Sequence, residues 1–346
     1  MAVESSLRSL PVTFALPPGV DLEAIRAAQA RIHPHVIPTP LVRLRKGVVP
    51  PGKGDVARGL VDVPVTGERL PHDVLLKLES LQVSGSFKAR GALNKVLSLA
   101  PDVAARGLVT ASGGNHGLAV AYAGRVVDVP TTVYLPNRTS PAKAARIEGW
   151  GARVVRAGDV WDDAHAAALE HAARDGLTYV HPFADTAVIC GAATIALEVL
   201  EQAPETDLFI VAIGGGGLAS GVASAAKLLR PTIRIIGVEP EGAPTLTESL
   251  RANEVITLQE IRTAAGTLAP RRSDALNLSI LRSTLDSIVL VTDDDMRSAA
   301  RFLLTEVGIG AELSGAASLA AFLTARIPTA SHPCALVCGA GSDALP

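Results

Sequence analysis

From Val74 onward the chain repeats one pattern: a short apolar run, a longer amphipathic segment, then another apolar run. The runs are Val74–Leu78, Leu108–Ala111, Thr131–Leu135, Arg153–Val155, Thr178–His181, Leu208–Ile213, Ile233–Val238, Ser287–Val291 and Cys334–Cys338. Between them, apolar residues recur at helical spacing in segments such as Ala164–Arg174, Val188–Gln202, Ser220–Leu229, Asp293–Thr305 and Ser314–Arg326. A short run that is apolar on both sides fits a strand covered on both faces, and a helix after each strand returns the chain for parallel pairing. The alternation therefore predicts an α/β fold with a mainly parallel sheet. Ahead of it, Leu22, Ile25, Ala28 and Ile32 share one side of a short helix over residues 21–33. Residues 46–73, dense in Gly, Pro and charge, predict a surface excursion, a hairpin or flap.

Composition narrows the function classes. The 346 residues suffice for two domains or one large one. A net charge of −2 leaves no electrostatic footprint for nucleic acid or an anionic membrane, and 3% aromatics offer few stacking platforms. Cys190, Cys334 and Cys338 are too few and too badly spaced for a disulfide scaffold or a zinc cage. Met1 to Val20 shows no basic flank followed by an apolar core, and no apolar stretch reaches membrane-spanning length. A cytoplasmic protein with no nucleic-acid or membrane partner is the expectation.

In open α/β sheets ligands bind where strands end and helices begin. Four such junctions carry unusual residues. The first is Val83-Ser84-Gly85-Ser86-Phe87-Lys88-Ala89-Arg90-Gly91-Ala92, where Ser84 to Ser86 supply a turn and an N-cap, and Lys88 falls at the helix start. A helix N-terminus favours anions, so an ammonium group is misplaced there unless it must lose its proton, as a Schiff-base lysine must. Taken alone it also reads as a snorkelling surface lysine. The second is Ser112-Gly113-Gly114-Asn115-His116-Gly117, whose glycines and helix-start amides suit a carboxylate or phosphate; a capped tight turn with a structural His116 reads equally well.

The third junction is Gly214-Gly215-Gly216-Gly217-Leu218, a phosphate cradle opening a helix. Gly214-x-Gly216-x-x-Ala219 with Glu239 after the next strand also fits a dinucleotide fingerprint, so an NAD-dependent oxidoreductase is carried as an alternative. The fourth is Cys338-Gly339-Ala340-Gly341-Ser342, where a small polar side chain meets a flat ring or simply closes the chain as a buried thiol.

Taken in order, the lysine segment, Ser112 to Gly117 and the tetraglycine run resemble the serine/threonine dehydratases of the fold-type-II pyridoxal-phosphate (PLP) enzymes. Pro141-Ala142-Lys143, Gly149-Trp150-Gly151-Ala152, His181-Pro182-Phe183 and Gly191 to Glu198 extend the resemblance over roughly residues 20–346, with 46–73 as an insertion. It implies a tryptophan-synthase-β-like fold of two α/β domains with the cofactor in the cleft between them: residues 1–106 plus 185–346, and 107–184. It further implies a homodimer and, because the chain stops soon after Cys338, no C-terminal regulatory domain.

The resemblance also assigns roles. Lys88 would carry the cofactor aldehyde and move protons at the substrate α-carbon. Phe87 would pack beside the ring, Gly214 to Leu218 would hold the phosphate, and Asn115 would bond the ring's phenolic oxygen. Ser112, Gly113, Gly114, Asn115 and His116 would clamp the substrate carboxylate, and Cys338 would face the pyridine nitrogen without a counter-charge. The implied reaction is β-elimination from a 3-hydroxy amino acid such as L-threonine or L-serine, giving a 2-oxo acid and ammonia. Racemases of the family carry a second serine where this chain has Gly113, which disfavours racemisation. The family's cation site pairs a carboxylate at Glu239 with an acidic residue near Thr245, so no metal is expected. Thr263 to Ala269 lacks an acidic residue often seen there, which leaves the substrate side chain open. A PLP racemase, a β-replacement enzyme and a non-catalytic binding protein are the further alternatives.

Overall fold

The computed structural model describes residues 14, 16–47, 59–65 and 70–341. The apolar runs pair into two sheets. The larger sheet contains β1 (Leu41–Lys46), β2 (Leu60–Val65), β3 (Val74–Lys77), β8 (Leu208–Ala212), β9 (Arg234–Pro240), β10 (Ser287–Val291) and β11 (Pro333–Leu336). Its order is β10-β9-β8-β11-β3-β1-β2, parallel throughout except that β1 runs antiparallel to β3. The smaller sheet, β6-β5-β4-β7, is wholly parallel and uses β4 (Leu108–Ala111), β5 (Thr131–Leu135), β6 (Arg153–Arg156) and β7 (Thr178–Tyr179).

The helices are α1 (Leu22–Ile32), α2 (Lys88–Leu97), α3 (Pro101–Ala104), α4 (Asn115–Val126), α5 (Pro141–Glu148) and α6 (Trp161–Asp175), followed by α7 (Thr186–Gln202), α8 (Gly217–Leu229), α9 (Thr245–Ala252), α10 (Ala275–Thr284), α11 (Asp293–Phe302) and α12 (Leu313–Leu323). β3, β8 and β11 are buried along their whole length, as strands covered on both faces must be.

Strand order brings the four junctions together. β9 and β10 extend the larger sheet to one side of β8, while β11 lies on the other, so the order reverses at β8. In the smaller sheet β5 and β6 lie on one side of β4 and β7 on the other. Such switch points open a crevice at the strands' carboxyl ends. Gly214 follows β8, Ser112 follows β4, Cys338 follows β11, and the Lys88 segment follows the adjacent β3.

α2 holds Lys88 in place by near backbone contact with α7. A Cβ at Gly91 would lie 2.8 Å from the Val188 carbonyl oxygen, and one at Gly191 only 2.4 Å from that of Arg90. Beneath this contact Arg90, fully buried, donates to Glu79, Thr194 and Glu198, and the equally buried Lys77 donates to Glu198. The other side of α2 shares an apolar cluster with the smaller sheet: Ala92, Leu93 and Val96 meet Leu108, Ala119, Val120 and Val180.

Three local expectations are corrected. The excursion after β1 is not a hairpin, because β2 pairs parallel to β1; residues 48–58 and 66–69 of it lie outside the described residues, as do Ser342 and most of residues 1–20. The helix read to Thr305 stops at Phe302 and continues as a π turn over Leu303–Val307 that ends on Gly308 in the left-handed region. The last strand ends at Leu336, so Cys338 stands in the loop beyond it. Among the described residues no helix is long and apolar enough to cross a membrane.

Candidate active site

The lysine segment is stitched to the end of the chain. Ser80 N–H donates to the Val337 carbonyl (2.8 Å), Phe87 N–H to that of Cys338 (3.2 Å) and Ala340 N–H to that of Gly85 (2.8 Å), and Ser86 bridges Gly339. These bonds replace the N-cap read from the sequence. No side chain caps α2, Phe87 occupies the cap position, and the Ser84 and Ser86 hydroxyls are buried with no partner among the described residues. Ser84 sits at φ 65°, a conformation rare for a side chain that is not glycine. The turn is fixed from outside, by the Cys338 loop.

Lys88 is partly buried, and its Nζ donates to the Pro182 carbonyl at 2.5 Å, its only hydrogen bond among the described residues. The Phe87 ring lies beside it, its centroid 5.0 Å from Nζ. Burial pulls the amine down to about 8, against the opposing influence of Cys338 and Glu312. Burial pushes the Cys338 thiol well above its ordinary range, so it stays protonated; Sγ donates to the Ser314 carbonyl at 3.5 Å. Glu312 is then the acidic neighbour whose field favours the protonated form of Lys88.

Pro182 and Phe183 link Lys88 to the glycine loop. A Cβ at Gly215 would lie 2.2 Å from the Phe183 ring, one at Gly217 would be 2.9 Å from Phe183 Cα, and Gly216 stands at φ 98°. The loop therefore admits only glycine at these positions. Asn277 Nδ2 (2.9 Å) and Ser273 Oγ (3.0 Å) both donate to the Gly215 carbonyl. The Gly216 carbonyl in turn accepts from Ser220 N–H (2.8 Å), so both of these acceptors are used within the protein. α8 then begins at Gly217 and Leu218, both buried, with no side-chain cap. A buried helix start without a cap fits an anion.

Across the cleft, Ser112 Oγ accepts from Gly114 N–H at 3.3 Å, and α4 starts at Asn115, again without a side-chain cap. A Cβ at Gly113 would lie 3.0 Å from Thr139 Cγ2 and 3.1 Å from its Oγ1. Asn115 Nδ2 donates to Glu312 Oε1 at 2.8 Å. Of its two sequence readings, His116 takes the structural one. Its imidazole is 3% exposed and turned inward, with Nε2–H donated to the Val180 carbonyl at 2.9 Å, which leaves Nδ1 without a proton. Burial pushes this ring down to about 3, so it is neutral, and its side chain is no clamp for a carboxylate.

Glu239 is also explained locally. Its two oxygens accept from Leu246 N–H (2.7 Å), Thr247 N–H (2.8 Å) and Thr247 Oγ1 (2.6 Å), closing the start of α9. Fully buried in this way, it is not available to a ribose hydroxyl, and the dinucleotide reading loses its acidic ligand. Thr245 Oγ1 donates to the Pro270 carbonyl. Among the described residues no group of three or more His, Cys, Asp or Glu is placed to hold a metal ion.

Five participants were given no role in the motif reading, although Pro182 and Thr267 lie in stretches it quoted: Glu312, Thr267, Ser273, Asn277 and Pro182. Two left a legible trace. Asn277 shares its helical stripe with Ile280, Leu281 and Thr284, a polar residue on an apolar face, and Glu312 heads a helix with no other charge. The others act through backbone or hydroxyl groups that no spacing marks. An amine on a helix head, an anion cradle and a small neutral donor thus converge on one crevice. That set fits a phosphorylated aldehyde such as PLP.

The comparisons with known proteins agree. Residues 32–339 match the family described as pyridoxal-phosphate dependent enzyme. An L-threonine ammonia-lyase of Thermotoga maritima is 36% identical over 259 residues, 75% of this chain and 65% of that protein, so the chain spans about two thirds of that relative's length. A phenylserine dehydratase of Ralstonia pickettii is 35% identical over 94% of both chains. The solved structure of maize serine racemase superposes with a TM-score of 0.81 at 31% identity, covering 92% of this chain and 93% of that one. The chain belongs to the pyridoxal-phosphate dependent enzymes.

Proposed function

We propose that the protein is a PLP-dependent ammonia-lyase that removes the β-hydroxyl of a 3-hydroxy amino acid and yields a 2-oxo acid and ammonia. The observation that carries this reading is the Lys88 amine: set at a helix head beside the glycine cradle, hydrogen-bonded to the Pro182 carbonyl, its one such bond among the described residues, and lowered to about 8. An amine so placed is a nucleophile and a base near neutral pH, where an ordinary lysine is neither.

In this reading Phe87 packs beside the cofactor ring, and the amides from Gly214 to Leu218 receive its phosphate. Asn115 faces the ring's phenolic oxygen, and the Cys338 thiol faces its nitrogen. When bound, the cofactor supplies a sink for the electron pair released at the substrate α-carbon. Ser112, Gly113 and Gly114, with the first amides of α4, hold the substrate carboxylate. Lys88 takes the α-proton, and the electron pair left on the α-carbon forms a double bond as the β-carbon–oxygen bond breaks. The hydroxyl takes up a proton and leaves as water, and a further water hydrolyses the released enamine to 2-oxo acid and ammonia. A neutral thiol at the ring nitrogen gives no counter-charge, which suits a reaction whose leaving group drains charge from the α-carbon at once. Gly113 offers no side chain opposite Lys88 to return a proton on the second face, so elimination is favoured over racemisation. The two separate sheets support residues 107–184 as the smaller domain, with 1–106 and 185–346 as the larger.

The names of the relatives set the panel: L-threonine, L-serine and 3-phenylserine. The expected result is 2-oxo acid and ammonia in equal amounts from at least one of them, lost in Lys88→Ala. Equal release by wild type and Lys88→Ala would remove Lys88 from the mechanism. Accumulation of the D-enantiomer ahead of 2-oxo acid would make the protein a racemase.

A further inference from the structure

Glu312 stands at the head of α12, a helix that carries no charge of its own, and is only 7% exposed. A side chain at a helix cap ordinarily accepts from an amide of its own first turn. Glu312 makes no such bond. Its Oε1 instead accepts from Ser314 Oγ (2.7 Å), Thr267 Oγ1 (3.1 Å) and, across the cleft, Asn115 Nδ2 (2.8 Å), while its own amide donates to the Gly339 carbonyl (3.2 Å). Burying a carboxylate is costly unless its hydrogen bonds are made, and donors from three segments of the chain make them.

The surroundings are built around this contact. A Cβ at Gly339 would fall 2.6 Å from Glu312 Oε1 and 3.0 Å from Asn115 Nδ2, so a larger residue there would push the two side chains out of place. An asparagine amide presents a donor end and an acceptor end, and whichever group holds one end decides where the other points. Glu312 holds the nitrogen. Its charge also bears on Lys88, favouring the protonated form of that nitrogen.

We propose that Glu312 is a positioning residue for the reacting ring. By taking the Asn115 amide nitrogen it fixes the Asn115 edge offered to the cofactor. The inference rests on the reading of Lys88 as cofactor anchor and Asn115 as ring contact. It places in the site the acidic charge that Cys338 does not provide, and brings it from the α12 side of the cleft.

The test uses the PLP-loaded enzyme. Borohydride should fix the cofactor to Lys88 in wild type and in Glu312→Gln alike. In Glu312→Gln the pH midpoint of the cofactor's near-visible absorbance should fall by about one unit, because a neighbouring negative charge has gone. Its kcat should fall about tenfold with KM within about threefold, the mark of a misplaced reacting group and not of lost binding. In an Asn115→Ala background the same substitution should cost less than about threefold, since two residues acting as a unit are not additive.

An unchanged midpoint and kcat in Glu312→Gln, or an undiminished loss in the Asn115→Ala background, overturns the proposal. Failure of borohydride to mark Lys88 in wild type sinks the anchor reading, and this inference with it. If Glu312→Gln does not fold, Glu312→Asp decides: it keeps the charge and shortens the reach, so kcat should fall while the midpoint moves less than about half a unit. A wild-type kcat in Glu312→Asp overturns the proposal.

Discussion

Two lysines eleven positions apart have opposite surroundings. Lys77, on β3, is fully buried and saturated: its Nζ donates to the Thr39 carbonyl at 2.8 Å and to Glu198 at 2.6 Å. Lys88, at the start of α2, is less buried yet poorer in partners among the described residues, with one carbonyl at 2.5 Å and its Nζ over the Phe87 ring. Glu79 and Glu198 both accept from Arg90, and Glu198 also accepts from Lys77, so two cations and two carboxylates close on one another beneath Lys88. The difference lies in what compensates each buried amine. A carboxylate at hydrogen-bond distance keeps the charge; a carbonyl satisfies one N–H and leaves the cost of the buried charge uncompensated.

Exchanging each lysine for methionine breaks the comparison most sharply. Lys88→Met should lower 2-oxo acid release about 10⁴-fold, the scale of a lost proton-moving group, with a urea midpoint close to wild type. Lys77→Met should do the reverse. Glu198 keeps only Arg90 and the Thr39 carbonyl is stranded, so the protein should lose about 3 kcal/mol in urea unfolding, while the folded fraction still binds PLP. A Lys77→Met protein as stable as wild type would show that this pair is not structural.

The smallest effect concerns pH. The Lys88 amine sits at about 8 in the folded apoprotein and near the ordinary 10.5 once unfolded. Its folded-state value is lowered, so between these two values the unfolded chain still holds a proton that the folded chain has released. Stability therefore rises with pH across that window and is level below it. The urea midpoint of PLP-free wild type, measured against PLP-free Lys88→Met from about pH 8 to about 10, should rise relative to the variant. A flat difference would mean that Lys88 keeps an ordinary affinity for its proton.

Much of the site was legible because its signals are local. An apolar run followed by a glycine turn and a helical stripe specifies a strand–loop–helix junction with no reference to the rest of the chain, and Lys88, Asn115, Gly214 to Gly217 and Cys338 all stand at such junctions. The N-cap assigned to Ser84 to Ser86 failed for a related reason: serines are good caps, but here the Cys338 loop sets the turn, and Cys338 lies 252 positions beyond Ser86. His116 was ambiguous because a histidine at a helix start looks the same whether it faces the cleft or the core. Only the Val180 carbonyl decides.

The sequence by itself determined the elements, the glycine cradle and the position of a lysine at the head of a helix, because backbone propensity and periodicity act over a few residues. The tertiary structure alone decided what each charged group meets. Lys88 finds Pro182 at a separation of 94 residues, Lys77 finds Glu198 at 121, and Asn115 finds Glu312 at 197. Strand order fixes these meetings, and the burial they bring determines whether a charge is kept or given up. That is why two lysines of one residue type, so close in the chain, differ in what they can do.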